Sequence, residues 1–243
     1  EEVLIHLMES VQVISLSATV SNAEEFGEWL GEVRGDTEVI VSEIRPIPLF
    51  QHVLIGNQLM DLFEQPGRIN PEILQREREA IRRSALGRNR RGRFTEPSDR
   101  MSRADIIEKL QRENLLPAIT FIFSRVGCDA AVKQCLHAGL RLTSPEERIE
   151  IRQTALKYTH NIAEEDLEVL GFEEWLTALE RGIAAHHAGL LPSFKGAVED
   201  LFQRGLVKAV FATETLALGI NMPARTVVLE KLIKFNGEAH VPI

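Results

Sequence analysis

The sequence runs to 243 residues, 44% hydrophobic and 26% charged, with a formal net charge of −8. That composition excludes a disordered or fibrous chain, and the length suits one large domain or one and a half small ones. No apolar run approaches the roughly 18 residues of a bilayer span, and Glu1-Glu2-Val3-Leu4 lacks the basic and apolar regions of a signal peptide. The absence of an initiator Met points to a piece of a longer protein. Two cysteines, Cys128 and Cys135, are too few for a disulfide framework. On one helix they would lie about 10 Å apart along the axis, too far to bridge. Core positions and a cytoplasmic setting follow.

The charge is uneven. Residues 1–66 hold 12 acids and 2 bases, residues 67–103 hold 11 arginines and 5 acids, and residues 104–243 hold 15 bases and 19 acids. A basic island in an acidic chain is either a nucleic-acid contact or a solvated connector.

In chain order, residues 11–16 read as a short apolar strand ended by Ser17-Ala18-Thr19. Ser21 and Glu24 form a capping-box pattern ahead of a helix that carries Phe26, Trp29 and Leu30 and ends at Gly31. Residues 38–42 are a second strand. Arg45-Pro46-Ile47-Pro48 breaks the pattern and places a domain boundary there. Residues 49–55 are a candidate first strand beyond it. Residues 66–105 have little apolar content, and 88–93 read as mobile. A helix runs from about Arg103 to before Pro117.

From Pro117 an α/β rhythm sets in. Strands are predicted at 118–123, 183–185, 207–211 and 226–229, and helices at 128–139, 145–181 and 192–203. Strands separated by helices imply a parallel sheet covered on both faces, with ligands at the strand carboxyl ends. Four polar clusters fall at such ends: Ser17–Thr19, Ser124-Arg125, His186-His187 and Thr213–Thr215. The paired histidines do not read as a metal site. Neighbours on a strand point to opposite faces, and no Cys, Asp or Glu follows at ligand spacing.

Two runs together carry a specific resemblance: Ala184-Ala185-His186-His187-Ala188-Gly189-Leu190-Leu191-Pro192 and Ala212-Thr213-Glu214-Thr215-Leu216-Ala217-Leu218-Gly219-Ile220-Asn221-Met222-Pro223-Ala224. Ser17-Ala18-Thr19 and Phe121-Ile122-Phe123-Ser124-Arg125 precede them in the matching order. The chain resembles the superfamily-2 DExH-box ATP-dependent RNA helicases of the superkiller branch, and is most similar to the bacterial HelY-type members.

The resemblance implies an α/β, RecA-like fold. Residues 1–45 would be the strand–helix–strand edge of a first lobe, 46–116 a basic linker, and 117–243 an incomplete second lobe. Ser17 and Thr19 would couple the nucleotide site to the nucleic-acid track. Ser124, Arg125, His186, His187, Thr213 and Thr215 would contact nucleic acid, with one histidine ring facing the channel and the other serving the core. Gly219 and Asn221 would face the nucleotide. ATP and Mg²⁺ would be the cofactors of the intact parent, with neither held tightly by these residues alone. RNA would be the partner, with DNA an alternative, together with the remainder of the helicase chain and no membrane. A phosphate-binding Gly-Lys-Thr loop, a DExH box and an arginine-finger motif are absent from the sequence. The expectation is therefore a middle slice of a helicase, without ATPase activity of its own. A non-catalytic RecA-like binding module is the alternative.

Overall fold

A computed structural model describes residues 2–8, 10–16, 22–42, 44, 47–86, 101–217, 222–235 and 240–242. The chain divides into two compact units, residues 1–53 with 59–76 and residues 54–58 with 77–243.

The first unit opens with α1 (Glu2–His6) and α2 (Ala23–Arg34). Arg34 donates to the carbonyls of Leu7 (2.7 Å), Met8 (3.0 Å) and Val11 (2.8 Å), which ties the end of α2 to the preceding segment. The helix passes through Gly31 and ends at Gly35 (φ 84°), where a positive φ is needed to leave it. The strands expected at 11–16 and 38–42 do not form. Their backbones have no ladder partner among the described residues, and Ile14, Leu16, Ile40 and Val41 are exposed. An apolar, β-branched run becomes a strand only where a neighbour takes up its N–H and C=O groups.

The stretch after the two prolines holds more structure than its composition suggests. β1 (His52–Ile55) pairs with β2 (Gln58–Asp61), turning at Gly56, and β3 (Phe63–Gln65) pairs antiparallel with β4 (Arg68–Ile69), turning at Gly67. α3 (Pro71–Leu86) then begins with Pro at its first position, and Asn70 Oδ1 accepts the Glu72 N–H at 3.0 Å. Residues 88–93 lie outside the described residues.

The second unit contains the α/β core. α4 (Arg103–Arg112) starts with a capping box: Asp105 N–H donates to Ser102 Oγ (3.1 Å), and Ser102 N–H donates to Asp105 Oδ2 (3.0 Å). β5 (Ala118–Phe121) leads to α5 (Arg125–His137), which starts earlier than predicted because Ser124 is its N-cap. The region 145–181 is three helices rather than one: α6 (Pro145–Thr159), α7 (Glu164–Val169) and α8 (Phe172–Glu180). Gly171, at φ 70°, makes the break before α8. β6 (Ile183–His186), α9 (Pro192–Gln203), β7 (Ala209–Ala212), a 3₁₀ turn (Glu214–Ala217) and β8 (Thr226–Leu229) follow. β9 (Ile233–Phe235) and β10 (His240–Pro242) pair antiparallel.

The sheet runs β6–β7–β5–β8, and every pairing is parallel. Side chains alternate between two cores. Ala118, Ile183, Ala185, Ala209 and Phe211 face α4 and α5, where Ile107, Leu110, Cys128 and Val132 pack. Ile119, Ala184, Val210 and Ala212 face α6, α8 and α9, where Ile151, Leu176, Leu179, Val198 and Phe202 pack. Trp175 stacks on Phe194 in that second layer, with ring centroids 4.2 Å apart.

Phe202 is fully buried in the second core. We expect Phe202→Ala to cost roughly 3–5 kcal/mol, read as a lower urea midpoint at unchanged slope. The exposed Val227 on edge strand β8 is the control: Val227→Ala should stay within about 0.5 kcal/mol. Equal losses for the two variants would contradict this assignment of the core.

Candidate nucleic-acid interface

The register sets three strand ends level. Phe121 of β5 is opposite Ala212 of β7, and Ala212 is opposite His186 of β6. The residues that follow each end therefore emerge on one edge of the sheet. Thr213 N–H donates to the His186 carbonyl at 3.2 Å, extending the β6–β7 ladder by one bond.

Ser124 Oγ accepts the Gly127 N–H at 3.1 Å, so its first task is to cap α5. Arg125, the first residue of α5, is exposed, and its guanidinium has no partner among the described residues. On the β7 side, Thr213 and Thr215 are linked hydroxyl to hydroxyl at 3.0 Å. Arg125 offers a forked, permanently charged donor, and the threonines offer hydroxyls that donate or accept.

The histidines depart from expectation. Both are buried, His186 at 3% and His187 at 4% exposure, so neither ring faces an open channel. They do point to opposite faces, but each face carries a helix with a carboxylate. His186 Nε2 meets Glu199 Oε1 of α9 at 2.7 Å, and His187 Nε2 meets Asp129 Oδ1 of α5 at 3.0 Å. Gly189 N–H donates to His187 Nδ1 at 3.1 Å, so that nitrogen is bare and Nε2 holds the proton. His186 Nδ1 is buried without a hydrogen-bond partner. Among the described residues no group of three or more His, Cys, Asp or Glu side chains is placed to hold a metal.

Comparison with curated proteins gives the same direction along the entire chain. It is 55% identical over 260 residues to the protein named Probable helicase HelY of Mycobacterium leprae, and 56% identical over 258 residues to that of Mycobacterium tuberculosis. Each alignment covers 100% of this chain. Along its whole length this chain is similar to the HelY and superkiller-type DExH-box helicases. Human Exosome RNA helicase MTR4 is 34% identical over 98% of the chain, and the chloroplastic DExH15 RNA helicase of Arabidopsis thaliana is 36% identical over 100% of it. The chain spans 28% of the length of the mycobacterial relatives. No protein-family model matches it.

The parallel sheet with helices on both faces is a RecA-like α/β fold. Of the site residues read from the sequence, Ser124, Arg125, His186, His187, Thr213 and Thr215 come together on its carboxyl edge. Ser17, Thr19, Gly219 and Asn221 lie outside the described residues. Sequence reasoning missed Asp129 and Glu199, which sit on helices 58 and 13 residues along the chain from the histidines they hold. It also missed the bidentate pair of Arg103 with Glu230, which ties the start of α4 to the end of β8 at 2.9 Å for both bonds.

The cysteines are core groups of this lobe. Burial pushes the Cys128 thiol up to about 12, helped by the neighbouring Asp129 carboxylate, and burial pushes Cys135 up to about 11. The thiolate is the nucleophile, so both should resist iodoacetamide in the native protein from pH 7 to 9 and react fully in denaturant. Rapid native labelling of either, measured by mass spectrometry, would contradict their placement.

Proposed function

We propose that the full polypeptide is an ATP-driven helicase that moves along single-stranded RNA, and that the carboxyl edge of this sheet carries part of its phosphate track. The observation that carries the reading is the level row of strand ends at Phe121, His186 and Ala212, which sets Arg125 and the Thr213–Thr215 hydroxyl pair on one edge. Phosphate contacts of this kind fix the register of a strand without reading its bases, as an enzyme that steps along any sequence requires. The first turn of α5 favours negative charge beside Arg125. Ser124 would contribute through that turn. His186 and His187 would act by holding the loop that follows them rather than by touching RNA. Residues 117–243 would form the second lobe, and residues 1–45 the edge of the first.

ATP and Mg²⁺ would supply the driving hydrolysis in the full protein. Gly219 and Asn221 would face the nucleotide, and Ser17 and Thr19 would couple the two sites. All four lie outside the described residues, so their part rests on the sequence resemblance alone. RNA is favoured over DNA because MTR4 and the Arabidopsis relative are named RNA helicases.

In the full-length protein, Thr213→Ala should lower RNA-stimulated ATP hydrolysis and unwinding about tenfold, with an unchanged circular dichroism spectrum. Arg125→Ala should weaken binding to all sequences alike and reduce the slope of log affinity against log salt by about 0.7. Normal unwinding by Thr213→Ala together with an unchanged slope for Arg125→Ala would defeat the phosphate track. Stimulation of ATP hydrolysis by DNA, at RNA's level or above, would defeat the RNA assignment. A full-length protein with no nucleic-acid-stimulated ATP hydrolysis would instead support a binding module.

A further inference from the structure

A chain of hydrogen bonds runs from α5 into the loop after β6. Asp129 Oδ1 accepts from His187 Nε2 at 3.0 Å, and Gly189 N–H donates to His187 Nδ1 at 3.1 Å. A ring that donates from Nε2 and accepts at Nδ1 is one tautomer of neutral imidazole. The carboxylate selects it, because a carboxylate can only accept. Replacement of the carboxylate by an apolar side chain leaves the ring free to turn or to change tautomer, and the Gly189 N–H then loses its acceptor.

The next link is steric. A Cβ at Gly189 would lie 3.1 Å from His187 Nδ1 and 3.5 Å from Cδ of Arg125. Gly189 is therefore seated between the imidazole and the arginine stem. The guanidinium beyond has no partner among the described residues, and its neighbour Val126 is 77% exposed. On this edge the stem of Arg125 passes beside the backbone of the loop.

We infer that Asp129 is a positioning residue for the nucleic-acid edge: through His187 it fixes Gly189, and Gly189 directs Arg125 toward a backbone phosphate. The inference rests on the phosphate role proposed for Arg125. A carboxylate behind a histidine orients metal ligands by the same logic. Here the oriented group is a loop amide and the beneficiary is a cation.

Electrostatics alone predicts the opposite sign. The Asp129 side chain is 49% exposed, so its negative charge sits at a face proposed to meet a polyanion. Deletion of that charge, with nothing else changed, tightens RNA binding. Deletion of a positioning residue weakens it.

The experiment measures single-stranded RNA affinity against salt for the full-length protein and its Asp129→Ala, Asp129→Asn, Arg125→Ala and Asp129→Ala/Arg125→Ala variants. We expect Asp129→Ala to lose several-fold to tenfold in affinity and about 0.7 of salt slope. Asp129→Asn, whose amide oxygen still accepts the Nε2–H, should stay within about twofold of the parent. The double variant should match Arg125→Ala alone, because both changes remove the same contact. Ring ¹⁵N shifts of His187 should show the proton on Nε2 in the parent and in Asp129→Asn. They should show a loss of that preference in Asp129→Ala. Tighter or unchanged binding for Asp129→Ala beside a weakened Arg125→Ala overturns the inference and leaves the phosphate track standing. Additive losses in the double variant also overturn it. Arg125→Ala without effect overturns the phosphate role and the inference together. Since Asp129 is half-exposed, the Ala variant should fold, and thermal unfolding of each variant verifies it.

Discussion

A parallel strand with both faces covered has no solvent side on which to place a polar residue. β5, β6 and β7 meet this constraint with Ala, Ile, Val and Phe at nearly every position, half facing α4 and α5 and half facing α6, α8 and α9. Apart from Thr120 in β5 and His186 at the last position of β6, the polar residues of these segments are displaced beyond the strand ends. Because the pairing is in register, the ends are level, and what emerges from them is gathered on one edge. The candidate interface is thus a consequence of how the core is packed.

Helix starts add to the same edge. Ser124 is exposed because it ends the buried run from β5, and its hydroxyl then caps α5, which brings Arg125 onto the first turn. Cap and cation are adjacent for one reason: the turn from strand to helix happens at the sheet edge. On the far side of the lobe, Lys208 bonds both carboxylate oxygens of Glu147 at 2.8 and 2.9 Å and the Leu142 carbonyl at 2.9 Å, locking the start of α6 to the segment that enters β7. Together with Arg103–Glu230, this contact anchors a helix start to a strand end far along the chain.

The second unit was largely legible from its sequence because its strands and helices find their partners within the chain. The apolar run at 118–121 and the run at 226–229 are strands, and 192–203 is a helix with the predicted bounds. The single helix expected over 145–181 is broken twice, at 160–163 and at Gly171, the latter a punctuation mark that periodicity overran. In the first unit, residues 11–16 and 38–42 carried the right residue types for strands and did not pair, since strand formation depends on a neighbour that local pattern does not specify. β1 falls within the strand expected at 49–55, whereas β2 to β4 and α3 were missed for the converse reason. Charged, weakly apolar sequence was read as unstructured, although Gly56, Gly67 and the Asn70-Pro71 start marked the turns and the helix.

The site was half legible. Residues at strand ends can be found by reading strands, and Arg125, Thr213 and Thr215 were found that way. Asp129 and Glu199 could not be, because their relation to His187 and His186 exists only once helices cover both faces of β6. Those two carboxylates also give a reason for a histidine at each position. A buried side chain at the end of β6 must fill space against a core. At His187 it must also donate to a carboxylate on one side and accept from a loop amide on the other. A neutral imidazole does all of this with a rigid ring and two opposed nitrogens, whereas Phe offers no hydrogen bond. Consecutive positions on a strand face opposite ways, so one dipeptide reaches α9 through Glu199 and α5 through Asp129. In the folded lobe the histidine pair is two separate ties, one to each helical layer.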